Sequence, residues 1–417
     1  GPIPISHKPE NTLATVILKP ATPSPVMNMM QHLQVPNREV EQVLLLLKNN
    51  NWLANGKLIY PSEDDKFRLI PLGTNLPSEL PDELSKYKII NANYKYDNRI
   101  NPNWLTHLST LVNKNNYEKF EELWPTSHEF VGDMMIIKLD KQILSFSSQI
   151  AKAKLISHPN LRLVLADHGV KGEFRIRQLI PIGVRHNNQI ILENIPKELC
   201  KTKVTIKESG LKIICDPTKA YFSTKLQTER QETLLFAKEL RGLLNRPINV
   251  CDPFCGVGPA ISSLLSEHDL VGNLLSSDLN QEAVKILFEN MSKWDKRPYP
   301  NVAKKIDWVY PNRLIGTADA TDLVSNPEYL GKWDMILINL PHRTLELLPQ
   351  LIPLIDNTSS SLIRGRLIVE EKEIERTNKI IQQLLPDCIL NKPKPELKIK
   401  RDYGPTLRLC SFEAWLK

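Results

Sequence analysis

The pattern of apolar and polar positions changes along the chain and is most regular after about residue 216. There, short apolar runs alternate with stretches in which apolar residues recur every three or four positions. Runs of this kind predict buried strands, and stretches with the three-to-four spacing predict helices between them. The predicted strands are PINVCDPF, LLSSDLN, RLIGTADA, WDMILINLP and GRLIVEE, and the predicted helices are QETLLFAKELRGLL, PAISSLLSEH, QEAVKILFENM and EIERTNKIIQQLL. This alternation indicates an α/β fold with a parallel, doubly wound sheet.

Two differently patterned segments precede this one. Residues 126–215 contain short alternating runs separated by Gly, Asn and Pro, which predict a compact mixed α/β middle domain. Residues 1–125 are rich in Asn, Pro and Lys, and only VEQVLLLLKNNNWL has clear helical spacing there. We therefore predict an N-terminal accessory module over 1–125, a middle domain over 126–215 and a larger domain over 216–417. The tail KIKRDYGPTLRLCSFEAWLK predicts an antiparallel hairpin at the sheet edge.

Composition agrees with a globular protein of two or three domains. The 417 residues are 41% hydrophobic and 24% charged. No apolar run reaches the roughly 18 residues that a membrane span needs, and the N-terminal residues lack a secretory pattern. A cytoplasmic protein without a membrane partner is expected, with a monomer as the default.

The six cysteines are scattered and only two lie close together, so neither a metal site nor a disulfide framework is expected.

The charge favours a polyanionic partner. The net charge is +7, and basic residues cluster near 201–212, 293–305 and 392–401. Such clusters suit contacts with a nucleic-acid backbone, although each of them alone is also typical of a solvated surface. One long basic and aromatic insertion, WDKRPYPNVAKKIDWVYPN, precedes the third predicted strand of the large domain. Two interpretations of it stay open: a segment that contacts RNA, and a surface loop.

A glycine turn, VCDPFCGVGPAISS, follows the first strand of the predicted parallel sheet. Two glycines allow a tight turn and a close approach of the backbone to a ligand. No Gly-Lys-Ser/Thr follows, which excludes a phosphate P-loop, and Ile261 stands where a dinucleotide loop has its third small residue. The spacing matches the Asp-x-Phe-x-Gly-x-Gly-Pro loop of AdoMet-dependent transferases. The loop residues expected to bind the cofactor are Asp252, Phe254, Gly256 and Gly258.

Polar residues also end the following strands, where a ligand of an open α/β sheet binds. Asp278 ends LLSSD, where its carboxylate can accept both ribose hydroxyls, and Asp319 follows the next strand near the expected adenine. Asn339 and Pro341 end the fourth strand in INLPH and complete the predicted cofactor site. Structural alternatives stay open: Asp319 as a helix cap, Asn339 as the start of a turn, and Asp252 as a residue that orients loop amides.

Together with this loop and INLP, the stretch AYFSTKLQTER resembles the family of tRNA-modifying enzymes that act at guanosine 37, beside the anticodon. The resemblance covers most of 130–417 and implies a Rossmann-like class I AdoMet-dependent transferase. Two branches share this fold and cofactor. One methylates N1 of guanine, and the other transfers the 3-amino-3-carboxypropyl group of AdoMet to a tricyclic guanosine derivative in wybutosine synthesis.

The resemblance to the two branches differs along the chain. YFSTKLQTER and INLPH look more like the methyltransferase branch, but Lys225 and Lys207 stand where that branch has arginines. The earlier segments look more like the wybutosine branch: LLKNNNWLANGKLIYPSEDDKFRLIPLG, LPSELPDEL, ELWPTSHEFVGDMMII and LRLVLADHG. We therefore expect the aminocarboxypropyl transfer, with guanine-37 N1-methylation as the alternative.

The resemblance also implies roles for individual residues. Glu229 matches the general base of the methyltransferase branch, and Asn339 would help to position the nucleobase or the amino-acid end of AdoMet. For Glu229, a place in the first turn of a helix is the structural alternative. Tyr221 and Phe222 are expected to line the cofactor pocket, with packing in the core as the structural alternative. The implied substrate is the anticodon stem-loop of phenylalanine tRNA, and the expected substrate-binding residues are Lys207, Lys225 and Arg230.

Overall fold

The computed structural model describes residues 29–54, 56–95, 97, 104–125, 127–388 and 391–417. The chain divides into two compact units. The first comprises Gly1–Leu111, Lys152–Asn160 and Arg185–Ile190, and the second comprises Val112–Ala151, Leu161–Val184 and Ile191–Lys417. The division into three domains at 126 and 216 stays a prediction. Within the described ranges, no helix is long and apolar enough to cross a lipid bilayer.

The first unit contains an antiparallel sheet of order β2-β3-β1-β4. Its elements are β1 (Met29–Pro36), α1 (Val40–Asn49), β2 (Tyr60–Pro61), β3 (Phe67–Pro71), α2 (Asp82–Ser85), β4 (Lys88–Asn93) and α3 (Trp104–Leu111). Leu33 and Val35 of β1 pack with Val43 and Leu47 of α1 in one buried cluster. The apolar spacing of α1 predicted that helix. Strand β1 was not predicted, because the polar His32 is fully buried within it and interrupts the apolar pattern.

Residues 112–215 form a small mixed sheet of order β5-β6-β7-β8-β9 and a separate hairpin, β10-β11. The elements are α4 (Lys114–Lys119), β5 (Glu129–Val131), β6 (Met134–Lys138), α5 (Ser147–Ser157), β7 (Leu163–Lys171), β8 (Ile176–His186), β9 (Gln189–Ile191), β10 (Val204–Glu208) and β11 (Leu211–Cys215). Every strand except β5 corresponds to one of the short runs from which this domain was predicted. The helix α5 was not predicted, because SSQIAKAKLIS mixes small, polar and apolar residues without a clear apolar stripe.

In the described part of residues 216–417, the second unit forms an eight-stranded sheet of order β14-β15-β13-β12-β16-β17-β19-β18. The elements are α6 (Gln227–Leu244), β12 (Ile248–Asp252), α7 (Pro259–Ser266), β13 (Val271–Asp278), α8 (Gln281–Trp294), β14 (Asp307–Tyr310), β15 (Arg313–Thr317), α9 (Ala320–Leu323), β16 (Met335–Ile338), α10 (Thr344–Leu351), β17 (Ser361–Glu370), α11 (Ile374–Leu384), β18 (Lys398–Asp402) and β19 (Leu407–Leu416). Strands β15, β13, β12, β16 and β17 are parallel. The predicted doubly wound, Rossmann-like sheet is confirmed.

The order of the parallel strands locates the binding edge. From β12 the chain proceeds to β13 and β15 on one side, and it later returns to β16 and β17 on the other. This reversal beside β12 is the topological switch point at which open α/β sheets bind their ligands. The glycine turn that follows β12 therefore lies at the expected binding edge.

The tail forms the predicted hairpin, but only one of its strands is at the edge. β19 lies between β17 and β18 and pairs antiparallel with β17 from Ser361–Leu416 to Glu370–Leu407. Eight consecutive residues at the end of β19 are buried, as in a strand covered on both faces. The outer strand β18 is exposed or half-buried throughout.

The insertion over 294–312 is packed on the sheet. Its last part forms β14, antiparallel to β15. At Gly316 the insertion comes so close that a Cβ there would lie 2.6 Å from the backbone of Ile306. Asp295 accepts from Arg313 Nε at 2.9 Å and from the Tyr299 hydroxyl. Arg297 also pairs with Asp295 at 3.1 Å, so a basic and an aromatic side chain of the insertion, Arg297 and Tyr299, are used in internal contacts.

One buried amide links the hairpin β10-β11 to the large sheet. Asn290 of α8 donates to the carbonyls of Ile214, at 3.0 Å, and Val257, at 2.9 Å, and its own oxygen accepts from Ile214 N at 2.8 Å. Met134 and Ile206 share a buried cluster with Ile286 of α8. The small sheet and the hairpin therefore pack against the same helix that supports the glycine turn.

Candidate active site

The turn after β12 depends on its two glycines. Gly256 has φ +56° and Gly258 has φ +92°, both in the left-handed region that glycine enters without strain. At Gly258 a Cβ would also meet Leu287 Cδ1 at 2.8 Å and Trp294 Cζ3 at 3.0 Å. Gly258 is followed by Pro259 at the first position of α7. The sequence thus fixes a tight turn that exposes backbone at the binding edge.

Asp278 holds this turn against the end of β13. Its Oδ2 accepts from Gly256 N at 2.8 Å, and its Oδ1 accepts from Asn280 N at 2.9 Å. Burial raises the pKa of this carboxyl group, while the two backbone hydrogen bonds lower it. A carboxylate oxygen has two lone pairs, so each oxygen can accept one further hydrogen bond. That capacity fits a vicinal diol, such as a ribose.

Asp252 ends β12 as a buried acid with spare hydrogen-bonding capacity. The residue is 2% exposed, and its Oδ2 has no hydrogen-bond partner among the described residues. Burial and then the nearby Asp278 raise the pKa of Asp252 to about 7, while Arg366 opposes this shift. Buried polar atoms in proteins normally have partners. The unpartnered oxygen is therefore available to accept from a hydrogen-bond donor of a bound ligand.

Asp319 follows β15 at the same edge and caps α9. Its Oδ1 accepts from Thr321 N at 3.0 Å and from Thr321 Oγ1 at 2.7 Å. The structural alternative considered for this residue is therefore realised, since this is N-cap geometry. The side chain is exposed at the edge where the strands end, so the cap leaves its second oxygen accessible.

A cavity opens beside the glycine turn, between the ends of β12 and β16. Its lining residues are Glu229, Arg230, Thr233, Asp252, Phe254, Cys255, Pro259, Ala260, Leu337, Ile338, Asn339, Arg364 and Arg366. Five of the predicted site residues meet here: Glu229, Arg230, Asp252, Phe254 and Asn339. Asp278, Asp319, Pro341 and the remaining predicted residues lie outside this lining. In the described part of the chain, no group of three or more His, Cys, Asp or Glu is arranged to hold a metal ion.

Glu229 is the centre of a buried ion-pair network. Its Oε2 lies 2.9 Å from Arg364 Nη2, and its Oε1 lies 3.2 Å from Lys400 Nζ. Arg364 also contacts Glu232 at 3.2 Å and pairs with Glu413. Both oxygens of Glu229 are therefore engaged by cations that come from β17 and β18. The network joins α6 to three strands that are distant in sequence.

Arg230, predicted to bind substrate, is committed to internal contacts. Its Nε donates to Glu208 Oε2 at 2.7 Å, and its Nη2 donates to Glu208 Oε1 and to the Ser223 carbonyl, the latter at 3.1 Å. Its guanidinium carbon lies 5.3 Å from the ring centre of Phe222, which is 2% exposed. This geometry attaches α6 to β10 and makes Phe222 a core residue beneath the cavity.

The other predicted contact residues lie on the surface. Lys207 on β10 and Lys225 in the turn before α6 are exposed, and Tyr221 is 49% exposed. Pro341 follows β16, and its carbonyl accepts from Ile368 N at 3.2 Å. The next residue, His342, contacts the Tyr403 hydroxyl at 3.3 Å, and the two rings form an edge-to-face pair. Burial and the charge of Arg175 lower the pKa of His342.

Sequence reasoning missed Arg364 and Arg366. Both belong to β17, whose run GRLIVEE reads as a buried strand, and both line the cavity. Burial lowers the pKa of Arg366 to about 10. Among the described residues, its guanidinium has no hydrogen-bond or ion-pair partner. The sequence feature that could have identified them is their spacing, since residues at alternate positions lie on the same face of a strand.

Comparison with known proteins gives sequence relatives of two kinds. Residues 108–182 match the family described as the TYW2 N-terminal domain. Over 241 residues the chain is 28% identical to the tRNA (guanine(37)-N(1))-methyltransferase Trm5b of Pyrococcus abyssi, an alignment that covers 58% of this chain and 60% of that protein. It is 25% identical over 285 residues to the tRNA (guanine(37)-N(1))-methyltransferase of Trichomonas vaginalis, covering 67% and 63%. The chain thus spans somewhat less than two thirds of these relatives.

Solved structures share the fold. Trm5b from Pyrococcus abyssi aligns with a TM-score of 0.54 and 23% identity, over 93% of this chain and 100% of that one. The complex of aTrm5 with tRNALeu gives 0.55 and 20%, over 93% and 99%. P. horikoshii TYW2 in complex with MeSAdo gives 0.51 and 18%, over 76% and 100%. At these identities the alignments show that the chain shares its fold with the Trm5 and TYW2 structures.

Proposed function

We propose that this chain, a relative of the Trm5 and TYW2 proteins, is an AdoMet-dependent tRNA-modifying transferase of the aminocarboxypropyl type. Its reaction is the transfer of the 3-amino-3-carboxypropyl group to the tricyclic guanosine-37 derivative of phenylalanine tRNA. The observation that carries this choice is the match of 108–182 to the TYW2 N-terminal domain. The sheet and its glycine turn serve either branch equally well, so they support the cofactor and not the choice of group.

The residues at the binding edge fit AdoMet. Asp278 has capacity for the ribose hydroxyls, the backbone at Gly256 is accessible, and Asp252 offers an unpartnered oxygen in the adjacent cavity. When bound, the cofactor supplies a sulfonium with three electrophilic carbons. The protein selects one carbon by fixing the cofactor against the nucleophile, because attack needs aligned atoms about 3 to 3.5 Å apart. In transfer of the arm, a ring carbon of the base would form a bond to the arm carbon as the bond from that carbon to sulfur breaks. The ring carbon would lose a proton, and methylthioadenosine would be the leaving group.

The contacts of Glu229 favour a positioning role. In the methylation alternative, this residue would remove the N1 proton of guanine. Here both of its oxygens are engaged by Arg364 and Lys400. Glu229 therefore orders one wall of the cavity, and Asn339 at the end of β16 is a polar group on the same lining that can contact the nucleobase or the amino-acid arm.

The tRNA would approach from the binding edge. Its target base is stacked in the anticodon loop and has to be turned out to reach the cavity. Lys207 on β10 and Lys225 in the turn before α6 are exposed and are assigned to phosphate contacts, which set the register of the RNA without reading its sequence.

Guanine-37 N1-methylation is the second candidate. It is favoured by the curated relatives in Pyrococcus abyssi and Trichomonas vaginalis, which are named as methyltransferases of that type. These alignments include residues common to both branches, so they weigh less on the choice of group than the match over 108–182.

Two separately labelled cofactors distinguish the candidates. The purified chain is incubated with AdoMet labelled in its methyl or its carboxyl group, and with phenylalanine tRNA that contains or lacks the tricyclic base. We expect carboxyl label to enter only the tricyclic tRNA. Transfer of methyl label to the unmodified tRNA would exclude the aminocarboxypropyl reaction in favour of methylation.

A further inference from the structure

The strands on one side of the cavity extend past the end of β16. β16 ends at Ile338, which is in register with Gly365, whereas β17 continues to Glu370. Over these last residues β17 stays paired with β19, from Gly365–Phe412 to Glu370–Leu407. At about 3.3 Å per residue, the two strands project roughly 16 Å beyond the end of β16. This extension lies at the edge of the sheet where ligands bind.

The segment that follows β16 is fixed to this extension. The Pro341 carbonyl accepts from Ile368 N at 3.2 Å, and Thr344 Oγ1 donates to a carbonyl of β17 at 2.6 Å. Between these two anchors, His342 contacts the hydroxyl of Tyr403, in the turn between β18 and β19, at 3.3 Å. The two rings meet edge to face with their centres 5.8 Å apart. Two loops that are distant in sequence thus hold one aromatic pair at the binding edge.

The aromatic pair is accessible and lies near the cavity. Tyr403 is 44% exposed, and His342 is also exposed. His342 follows Asn339, which lines the cavity, by three residues, so their Cα atoms are at most about 11 Å apart. A molecule that places one group in the cavity can therefore reach the two rings with the next.

A cation of the small sheet lies beside the same pair. Arg175 is in the turn between β7 and β8, is exposed and forms no ion pair among the described residues. Burial and then the charge of Arg175 lower the pKa of His342, which indicates that this turn comes close to the loop after β16. Phe174, in the same turn, is 40% exposed. We call these four residues the aromatic rim: Phe174, Arg175, His342 and Tyr403.

We infer that the aromatic rim binds the unpaired nucleobase next to the target nucleotide of the tRNA. The base stacks on the exposed rings, and Arg175 pairs with an adjoining phosphate. Turning the target base out of its loop separates it from its neighbours, and stacking of one neighbour on the rim offsets part of that cost. The inference rests on the proposed function only in requiring an RNA whose target base enters the cavity.

The combination of rings and cation fits a single strand better than a base-paired stem. Phosphate contacts alone need cations, whereas exposed rings offer faces on which any base can stack. Bases in a stem are already stacked on one another, so only a loop can supply one to the rim. The rim therefore recognises the loop form of the RNA without reading its sequence.

Filter binding of the full chain to phenylalanine tRNA, at several salt concentrations, separates stacking from charge. Tyr403→Ala is expected to weaken tRNA binding about five- to a hundredfold, the loss typical of a stacked base, with the slope of log K against log salt unchanged. Tyr403→Phe should retain most of the affinity, because the ring remains. Arg175→Gln should weaken binding and decrease the slope by about one.

The control variant removes an exposed apolar side chain elsewhere. Leu243 is 49% exposed near the C-terminus of α6, and β12 starts four residues later, so it lies toward the opposite edge of the sheet. Leu243→Ala should leave tRNA affinity unchanged. Calorimetry should give wild-type AdoMet affinity for every variant. If Tyr403→Ala alone disturbs AdoMet binding, His342→Ala serves in its place, because it leaves the turn between β18 and β19 intact.

Abasic nucleotides identify the occupant of the rim. Two tRNAs are prepared, which lack the base on the 5′ or on the 3′ side of the target nucleotide. One of them is expected to bind wild type more weakly than intact tRNA, and to bind Tyr403→Ala as well as intact tRNA does, because the stacking contact is already lost. His342→Ala should respond to the same tRNA. Additive losses with both tRNAs, or wild-type affinity of Tyr403→Ala and His342→Ala, would overturn the inference.

The outcomes separate this inference from the proposed function. If wild type binds and modifies tRNA but neither abasic position depends on Tyr403 or His342, only the rim fails. If the rim behaves as expected but methyl label reaches the tRNA, only the aminocarboxypropyl assignment fails. Absence of tRNA binding by wild type would overturn both.

Discussion

The carboxyl group of Asp252 affects folding and binding in opposite directions. It is almost fully buried beside Asp278, and its pKa is raised to about 7 from an ordinary value of 3.8. Between these two values the folded chain binds more protons at this site than the unfolded chain does. Stability contributed by this residue is therefore lost as pH rises from about 4 to about 7. A group that costs stability near neutral pH is typical of a ligand site.

Asp252→Asn should consequently stabilise the chain in a pH-dependent manner. The amide has no ionisation to suppress, and a shift of about three pKa units corresponds to roughly 4 kcal/mol at most. We expect the gain in the free energy of unfolding to be about 2 kcal/mol larger at pH 8 than at pH 5. Denaturant titrations at both values measure it, with the exposed Asp269→Asn as control. A gain that is the same at both pH values would contradict the raised pKa.

For single residues, the sequence allowed an interpretation where the role depends on the local course of the backbone. The positions of Gly256, Gly258 and Asp278 at the binding edge could be predicted because a turn and a strand end are local features. Arg230 and Arg366 could not be interpreted, because the role of a charged side chain depends on which carboxylate lies opposite it. Glu208, 22 positions before Arg230, neutralises that arginine, whereas β17 carries Arg366 to the cavity with no counterpart.

At the scale of elements, the connection from β12 into α7 is the most constrained segment of the site. Gly258→Ala adds a methyl that would lie 2.8 Å from Leu287 Cδ1, at a backbone angle that alanine rarely adopts. We expect a loss of about 1 to 3 kcal/mol in the free energy of unfolding, and a weaker affinity for AdoMet because the turn is displaced. Thermal unfolding and calorimetry measure the two effects.

A second glycine serves as the control, because its replacement by alanine is expected to raise the free energy of unfolding and not to lower it. Gly242 lies in α6, where a Cβ would meet nothing within 4 Å. Gly242→Ala should therefore stabilise the chain by up to about 1 kcal/mol through helix propensity, with AdoMet affinity unchanged. If both alanine variants behaved alike, the crowding at Gly258 would not be the cause.

Elements were predictable where one periodicity dominated. The five parallel strands and the helices α7 and α8 between them alternate cleanly, so they could be predicted from the sequence, whereas the shorter helices α9 and α10 were not predicted. β14 was hidden in the insertion, because Asp307–Tyr310 acquires its strand character by pairing with β15. The position of β19 inside the sheet, and not at its edge, likewise depends on pairing with β17, which no local pattern encodes.

At the scale of the whole molecule, the net charge of +7 favours association with a polyanion. Lys225→Gln removes one exposed cation at the entry to α6. We expect tRNA affinity to fall and the slope of log K against log salt to decrease by about one, with AdoMet affinity unchanged. Filter binding at several salt concentrations measures the slope.

The control for Lys225→Gln removes one positive charge at a different place on the surface. Lys238→Gln disrupts a surface pair with Glu267, which follows the C-terminus of α7 and so lies toward the opposite edge of the sheet. It should leave the salt dependence unchanged. An equal decrease in slope for both variants would mean that the tRNA responds to total charge and not to a contact at Lys225.

The placement of β19 has a consequence for folding of the protein. β17 is complete at Glu370, but its antiparallel neighbour begins only at Leu407. Until β19 pairs with it, β17 is a ten-residue strand with an open hydrogen-bonding edge. A chain in which β19 has not yet docked is therefore exposed to strand pairing with a second chain.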